Sequence, residues 1–312
     1  RQLGATQAGL LAHWRFDEAP GATNAFDSVG NFHGTNAPAG TTFVPGGRAG
    51  NALSLTRTQN GFVDMGNVLS LTSGVYSVVA WSKLAPGDVQ DNQVIAAKHT
   101  SGNRNGYFLL VNTTGGVLTQ GKASLVTGGS GAASPTTGET PISTSSVNDG
   151  DWHQIVAVHD VVAGTKKIYV DGSPVEDTKA AQIVTPNTTA PFLIGGTFNG
   201  TANVGLFDGL LDDIQIYNRA LNDTEIDILF QFPGQEITAA PIIAVPPQTI
   251  AAVAGSNVTF TVTAYGTVAG TGPLTYQWLR SGTNLPGATS ATLSLPNVQA
   301  ASAGDYSVRV SN

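Results

Sequence analysis

The stretch DGDWHQIVAVHD at residues 149–160 and the KKIYVDGSPV that follows it alternate apolar and polar residues at period two, with Asp-Gly at the turns. Period two puts successive side chains on opposite faces of an extended strand, and Asp-Gly suits the positive φ of tight hairpins. The same alternation returns in LFDGLLDDIQIY at residues 206–217. Segments of this kind close into antiparallel sheets and do not form helices.

Composition narrows the field further. A chain of 312 residues with 41% hydrophobic content can bury a sizeable core and is long enough for two domains. Only 11% of residues are charged while 38 are glycine, the balance of a turn-rich all-β protein. A net charge of -7 with 14 Lys and Arg leaves no basic stripe for phosphates, so nucleic acid is excluded as a partner. With no Cys, disulfides, thiolate metal sites and cysteine nucleophiles are excluded as well. No apolar run approaches the roughly 18–20 residues that span a bilayer, so membrane insertion is not expected. Residues 1–8 carry no signal-peptide pattern, and a chain that starts at Arg1 is expected to be a mature or excised piece of something longer.

Strands are expected at Leu10 to Phe16, Ala52 to Leu55, Phe62 to Met65, Tyr76 to Lys83, Val94 to Lys98, Tyr107 to Asn112, Ile155 to His159, Lys167 to Val170, Phe192 to Ile194 and Leu210 to Tyr217. Thr127 to Gly150, rich in Gly, Ser, Thr and Pro, reads as a long surface loop. One helix is expected in ALNDTEIDILF, where Asn222 caps the first turn, Glu225 completes a capping box, and Ile226, Leu229 and Phe230 form the apolar stripe. A proline-rich linker follows over residues 233–247. From Ile250 a second strand pattern begins, with Trp278 in PLTYQWLRSG and Tyr306 after an Ala-Gly-Asp turn.

The order of these pieces, together with GLLAHWRFDEAPGATNAFDSVGN near the start, resembles the laminin-G-like domains of the concanavalin-type jelly-roll superfamily found in large secreted bacterial proteins. The resemblance assigns residues 8–232 to a jelly-roll sandwich. Residues 248–312 resemble an immunoglobulin-like sandwich, with Trp278 as the core tryptophan and Tyr306 as the tyrosine-corner residue. Where such domains often carry bridging cysteines this chain has Val262 and Val308, so packing replaces the disulfide. The usual final strand is not found after Val310, which implies an unpaired edge and an open groove.

Jelly-roll domains of this kind often hold a structural calcium between the first turn region and the last strand, and the matching positions are Asp27, Gly30 and Asn31 with Asp212 or Asp213. The alternative is that Asp27 and Asn31 cap a turn while one of the paired aspartates faces solvent. Strict alternation on LLDDIQIY places Asp212 with Ile214 and Ile216, making Asp212 the better ligand and Asp213 the solvated residue, unless the twist at the strand end reverses them. His153 and His159 lie about 20 Å apart on one strand, too far to share a metal; both are read as structural. No paired carboxylates flank a sugar site, no nucleophile elbow is present, and no catalytic residue is assigned.

For sugar stacking the candidates are loop residues: Phe32 and His33, then Tyr107 beside Asn103 and Asn105, then Phe198 with Asn199. The tryptophans Trp14, Trp81, Trp152 and Trp278 sit in strand patterns and are read as core. The resemblance implies a non-catalytic carbohydrate-binding and adhesion segment of a secreted or cell-surface bacterial protein, taking a glycan or cell-surface polysaccharide, with the second domain as spacer. The other reading is a structural repeat unit of an extracellular stalk or filament, whose incomplete second domain docks with a neighbouring copy or with further domains of a longer parent.

Overall fold

The computed structural model describes residues 9–37, 39–88, 92–100, 105–112, 120–128, 140–181, 189–236, 242–265 and 274–311. Asn103 lies outside them. The chain divides into two compact units, one over Gly9–Ile237 and one that takes in Thr238–Asn312.

In the first unit two mainly antiparallel sheets face each other, as expected of a jelly roll. One sheet has eight strands in the order Asp177–Ala180, Thr165–Val170, His153–Asp160, Val75–Lys83, Gly209–Tyr217, Asn51–Leu55 and Thr41–Pro45, with Leu10–Trp14 also paired to Gly209–Tyr217. The other has nine, running Lys122–Gly128, Asn105–Asn112, Gln93–Thr100, Leu193–Ile194, Val63–Asp64, Gly34–Asn36 and Asn24–Ala25, with the short Thr197–Phe198 and Asn203–Val204 alongside. Between the sheets lies one apolar core that includes Trp14, Phe43, Val78, Ala80, Leu109, Ile155, Phe192, Ile214 and Ile216. Alternation sets this arrangement: along Val75–Lys83, Tyr76, Val78 and Ala80 enter the core, and Ser77 and Trp81 turn to the opposite face.

That opposite face is covered by the helix Asp223–Gln231 and the chain leading into it. Asn222 and Glu225 form the expected capping box. Phe230 stacks on Trp81 at 5.7 Å, Tyr169 donates to Asp223 at 3.0 Å, and Ser77 accepts from the Leu221 amide at 3.0 Å. The central strands of this sheet are therefore buried on both faces.

The expected strands recur with ends shifted by at most two residues, but Gly34–Asn36, Thr41–Pro45, Lys122–Gly128 and Asp177–Ala180 are not legible as strands. They lie at or near sheet edges and are rich in Thr, Gly, Lys or Ser, so they lack clean alternation. The expected surface loop over Thr127 to Gly150 needs correction in its described part. Val147 is fully buried in the core, Ser143 bonds the Ala123 backbone, and Glu176 accepts the amides of Thr144 and Ser145.

The second unit pairs Val258–Thr261 with Thr292–Leu295, Ile242–Val245 with Thr263–Tyr265, and sets Thr275–Arg280 between Thr283–Asn284 and Tyr306–Ser311. Trp278 is fully buried and its indole donates to the Ser290 carbonyl at 2.9 Å. Tyr306 donates to the Ser302 carbonyl four residues upstream at 2.8 Å, the tyrosine-corner contact. Val262 and Val308 join the Trp278 cluster, so apolar packing stands where a disulfide could have been. Tyr306–Ser311 is paired along one edge only among the described residues. The expected linker is structured at both ends: residues 234–236 lie against the first unit, and Ile242–Val245 is a strand of the second. Among the described residues no helix is long and apolar enough to cross a membrane.

Candidate functional site

The buried ionisable groups of the first unit gather where the Gly209–Tyr217 strand changes partner. Its first residues pair with Asn51–Leu55, its last with Leu10–Trp14. Between them the register on Val75–Lys83 slips, from Asp212 opposite Trp81 to Gln215 opposite Val79, and Asp213 takes a φ of +46°. This is a β-bulge with one extra residue. It returns Ile214 and Ile216 to the core side occupied by Leu211 and turns both aspartates out of the core.

Asp213 does not reach solvent as strict alternation predicted. It is 2% exposed and meets the Nε2 of the fully buried His13, accepts from Gln215 at 3.1 Å, and takes the Gly234 amide at 2.7 Å. Glu236 closes the other side, 2.8 Å from His13 Nδ1, and also accepts from Arg15 at 3.0 Å. Burial alone would depress His13, but its bonds to Asp213 and Glu236 and the Asp213 charge outweigh it and hold the imidazole above its ordinary value. Burial likewise opposes ionisation of Asp213 and Glu236, and their contacts with His13 prevail, holding both below the usual carboxylate range. The cluster sets the His13 ring between two carboxylates.

Asp212 differs. Its oxygens accept the amides of Ala49 at 2.9 Å and Asp213 at 2.7 Å, and no cationic side chain pairs with it among the described residues. Burial, with the neighbouring Asp213 charge, pushes its carboxyl up to about 7 against the backbone bonds. It opens on a cleft of about 280 Å³ shared with Arg15, Asp17 and Gly50. The Gly-Gly-Arg-Ala-Gly loop presses its backbone onto both acids: a Cβ on Gly47 would meet Asp212 Oδ2 at 2.7 Å, and one on Gly50 would meet Asp17 Oδ1 at 2.0 Å.

These contacts split the five residues expected to hold calcium. Asp27 is a turn cap: Oδ1 takes the amides of His13 at 2.9 Å and Val29 at 3.0 Å, and Oδ2 takes that of Phe32 at 3.1 Å. Gly30 packs against it, since a Cβ there would lie 2.7 Å from Asp27 Oδ2 and 2.8 Å from the Leu11 carbonyl. Asn31 is exposed on the same turn. Asp213 is committed to His13. The Asp27, Gly30 and Asn31 half of the set thus does not fit a cation shared with the last strand, whereas Asp212 shares its cleft with Asp17.

The expected sugar-stacking residues fall in different places. Phe32 is half-buried against the core, and its carbonyl accepts the Trp14 indole at 2.9 Å. Tyr107 is 2% exposed, with its hydroxyl on the Leu69 carbonyl and its ring 4.9 Å from Tyr76, so it is a core residue and offers no platform. Its parity with Leu109 and Val111 could have shown this in the sequence. Asn105 and Phe198 flank Thr100 on opposite sides, two strand spacings apart, and are not brought together. Asn199 spends its side-chain oxygen on the amides of Thr201 and Ala202. His33 stands apart at the far edge of the nine-stranded sheet, exposed and edge-on to Phe26. His159 is buried against Tyr76, and His153 bonds Asp171 at 2.8 Å and Asp149 at 3.0 Å.

A laminin-G-type family model described as the concanavalin A-like lectin/glucanases superfamily matches residues 57–227, and an immunoglobulin domain model matches residues 240–312. The chain belongs to the concanavalin A-like lectin/glucanases superfamily and carries an immunoglobulin domain after it. Its fold is similar to domain 4 of AbnA, a GH43 extracellular arabinanase from Geobacillus stearothermophilus solved with arabinotriose, with a TM-score of 0.52 and 22% identity over 72% of this chain and 100% of that one. It is also similar to the binding domain of Paraclostridial Mosquitocidal Protein 1, with a TM-score of 0.52 and 13% identity over 87% of this chain and 58% of that one. At such identities the likeness is one of fold. A decoration protein of Escherichia phage T5 is 43% identical over 58 residues, which are 19% of this chain and 34% of that protein.

The shifted groups set a pH dependence. His13 and His153 titrate above the ordinary 6.5, so their contributions are complete below that value and vanish as pH passes the folded value, about 9 for His153. The His153 shift comes chiefly from its bond to Asp171. The raised Asp212 favours the folded state at low pH and loses that advantage between 3.8 and about 7. In chelator, the urea midpoint should therefore fall as pH rises from about 6 to about 9, and fall less in a His153→Gln variant. A midpoint that rises over this interval contradicts the assignment.

Proposed function

We propose that this protein is a non-catalytic carbohydrate-binding segment of an exported bacterial protein, with the jelly roll recognising a glycan and the immunoglobulin-like unit serving as a spacer. The observation that carries the reading is the employment of the acids. Glycoside hydrolysis needs a proton-donating carboxyl and a second carboxylate about 5–9 Å apart across a sugar. Asp212 is the acid whose raised value suits a proton donor, yet Asp17, the acid that shares its cleft, is engaged by the Asn51 amide at 2.9 Å. Asp213 and Glu236 are held by His13, Glu225 caps the helix, and Glu176 binds backbone amides. With these acids engaged in structural bonds, the reading is of a sandwich that binds a glycan without cutting it. The fold shared with the arabinanase domain solved with arabinotriose supports the same reading.

Calcium belongs to this proposal as a structural ion at the Asp17 and Asp212 cleft. There it would neutralise the buried Asp212 carboxylate and brace the residue 47–51 loop against the last strand. Thermal stability of the whole chain should drop on chelation, and Asp212→Ala should remove that sensitivity; equal response of both proteins to chelator contradicts it.

On a glycan array of plant, algal and host polysaccharides the full chain should give a binding signal without releasing reducing sugar. A clean negative across the array removes the reading, and turnover abolished by Asp212→Asn would replace it with an enzyme.

One observation favours a second reading, a structural unit that docks on a neighbouring copy. An apolar groove of about 400 Å³ lined by Ile250, Val258, Phe260, Leu295, Val298 and Tyr306 runs along the second unit. Light scattering should then show concentration-dependent oligomers, and a strictly monomeric profile counts against it.

A further inference from the structure

We infer that the outer face of the nine-stranded sheet at Gly34–Asn36 and Val63–Asp64, near its edge, is a subsite for one unit of a neutral saccharide, whose hydroxyls meet Thr35, Asp64 and His33 while Phe26 packs on its apolar face. The inference rests on the glycan-binding reading above and gives it a place.

Strand pairing builds the site from residues far apart in sequence: Thr35 registers with Asp64 and Asn36 with Val63. The resulting cleft, about 500 Å³, is lined by His33, Thr35, Asn36, Phe62, Asp64 and Met65. Small-ligand sites fall between about 300 and 1,000 Å³.

Polar groups with unused capacity converge there. Thr35 and Asp64 are directly paired, so both side chains leave the sheet on its outer face, away from the core side taken by Asn36 and Val63. Asp64 spends one oxygen on the Gly66 amide at 2.7 Å and retains the other for a second hydroxyl. His33 Nδ1 accepts the Asp27 amide at 3.1 Å, so the neutral ring carries its proton on Nε2 and presents a donor. The capped DSVGN turn thus fixes the tautomer of the ring that follows it. Thr35 adds a hydroxyl.

The apolar complement is Phe26, 55% exposed, whose ring stands 5.4 Å from His33 at 68°. Phe62 and Met65 line the cleft itself. A sugar ring presents hydroxyls around its rim and C–H groups on a face, and a hydrogen-bonding wall beside an exposed aromatic matches both. The lining contains a carboxylate and no lysine or arginine, which disfavours sialic and uronic acids and selects a neutral unit.

The test uses the whole chain and isothermal titration with arabinotriose, xylotriose, cellotriose and galactotriose, with sialyllactose as the charged comparator. The subsite predicts binding of a neutral oligosaccharide and its loss in Phe26→Ala and in Thr35→Trp, which fills the cleft from its exposed wall, with thermal unfolding unchanged. Asp64→Asn, which retains the acceptor for Gly66, should weaken binding by about tenfold, the scale of losing one good hydrogen bond to a charged group. If the parent binds and all three variants bind equally well, the placement is wrong while the glycan-binding reading stands. Stronger binding of sialyllactose overturns the neutral assignment. If the parent binds nothing on the panel or on any polysaccharide array, the underlying reading has failed and the subsite with it.

Discussion

One extra residue in the strand Gly209–Tyr217 governs both the core and the charge distribution of the larger unit. Without the bulge, strict alternation from Leu211 would send Asp213, Gln215 and Tyr217 inward and turn Ile214 and Ile216 out. With it, Leu211, Ile214 and Ile216 all reach the core, and the two acids emerge where the edge partner changes from Asn51–Leu55 to Leu10–Trp14. Each acid then finds a different solution. Asp213 is neutralised by His13, and Asp212 is held by the amides of Ala49 and Asp213. Deleting one member of a buried pair of the first kind costs about 3–5 kcal/mol, because its partner is left charged and desolvated.

The same cluster fastens the chain that leaves the jelly roll. The Gly234 amide bonds Asp213, the Gln235 carbonyl accepts from Gln215, and Glu236 bonds His13 and Arg15. Together with the capped helix, these contacts seal the outer face of the eight-stranded sheet. The polar groups of the proposed saccharide subsite lie on the other sheet, where Gly34–Asn36 meets Val63–Asp64.

Period-two reading located the central strands, and the Asn222-to-Glu225 spacing the capping box, because each depends on neighbours within a few residues; the roles of Trp278 and Tyr306 followed from the resemblance to an immunoglobulin-like sandwich. It failed where geometry is set at long range. A bulge inserts a residue that counting by twos cannot see, so Asp213 was taken for a solvated side chain. Glu236 looked like linker because nothing local points it towards a histidine 223 residues earlier. The cleft beside His33 was half visible: His33 stood out as a loop aromatic, but Asp64 joins it only through strand pairing. Tyr107 was misjudged although its own alternation with Leu109 and Val111 placed it inside.

The account turns on His13 being a buried cation that holds two acids in structural service. Long-range nitrogen–proton NMR of its imidazole between pH 5 and 8 reads the protonation of both ring nitrogens directly. The account predicts a doubly protonated ring at pH 7, with its titration midpoint displaced above the ordinary 6.5. A single neutral tautomer at pH 6 would contradict it, leaving Asp213 and Glu236 without the charge assigned to hold them.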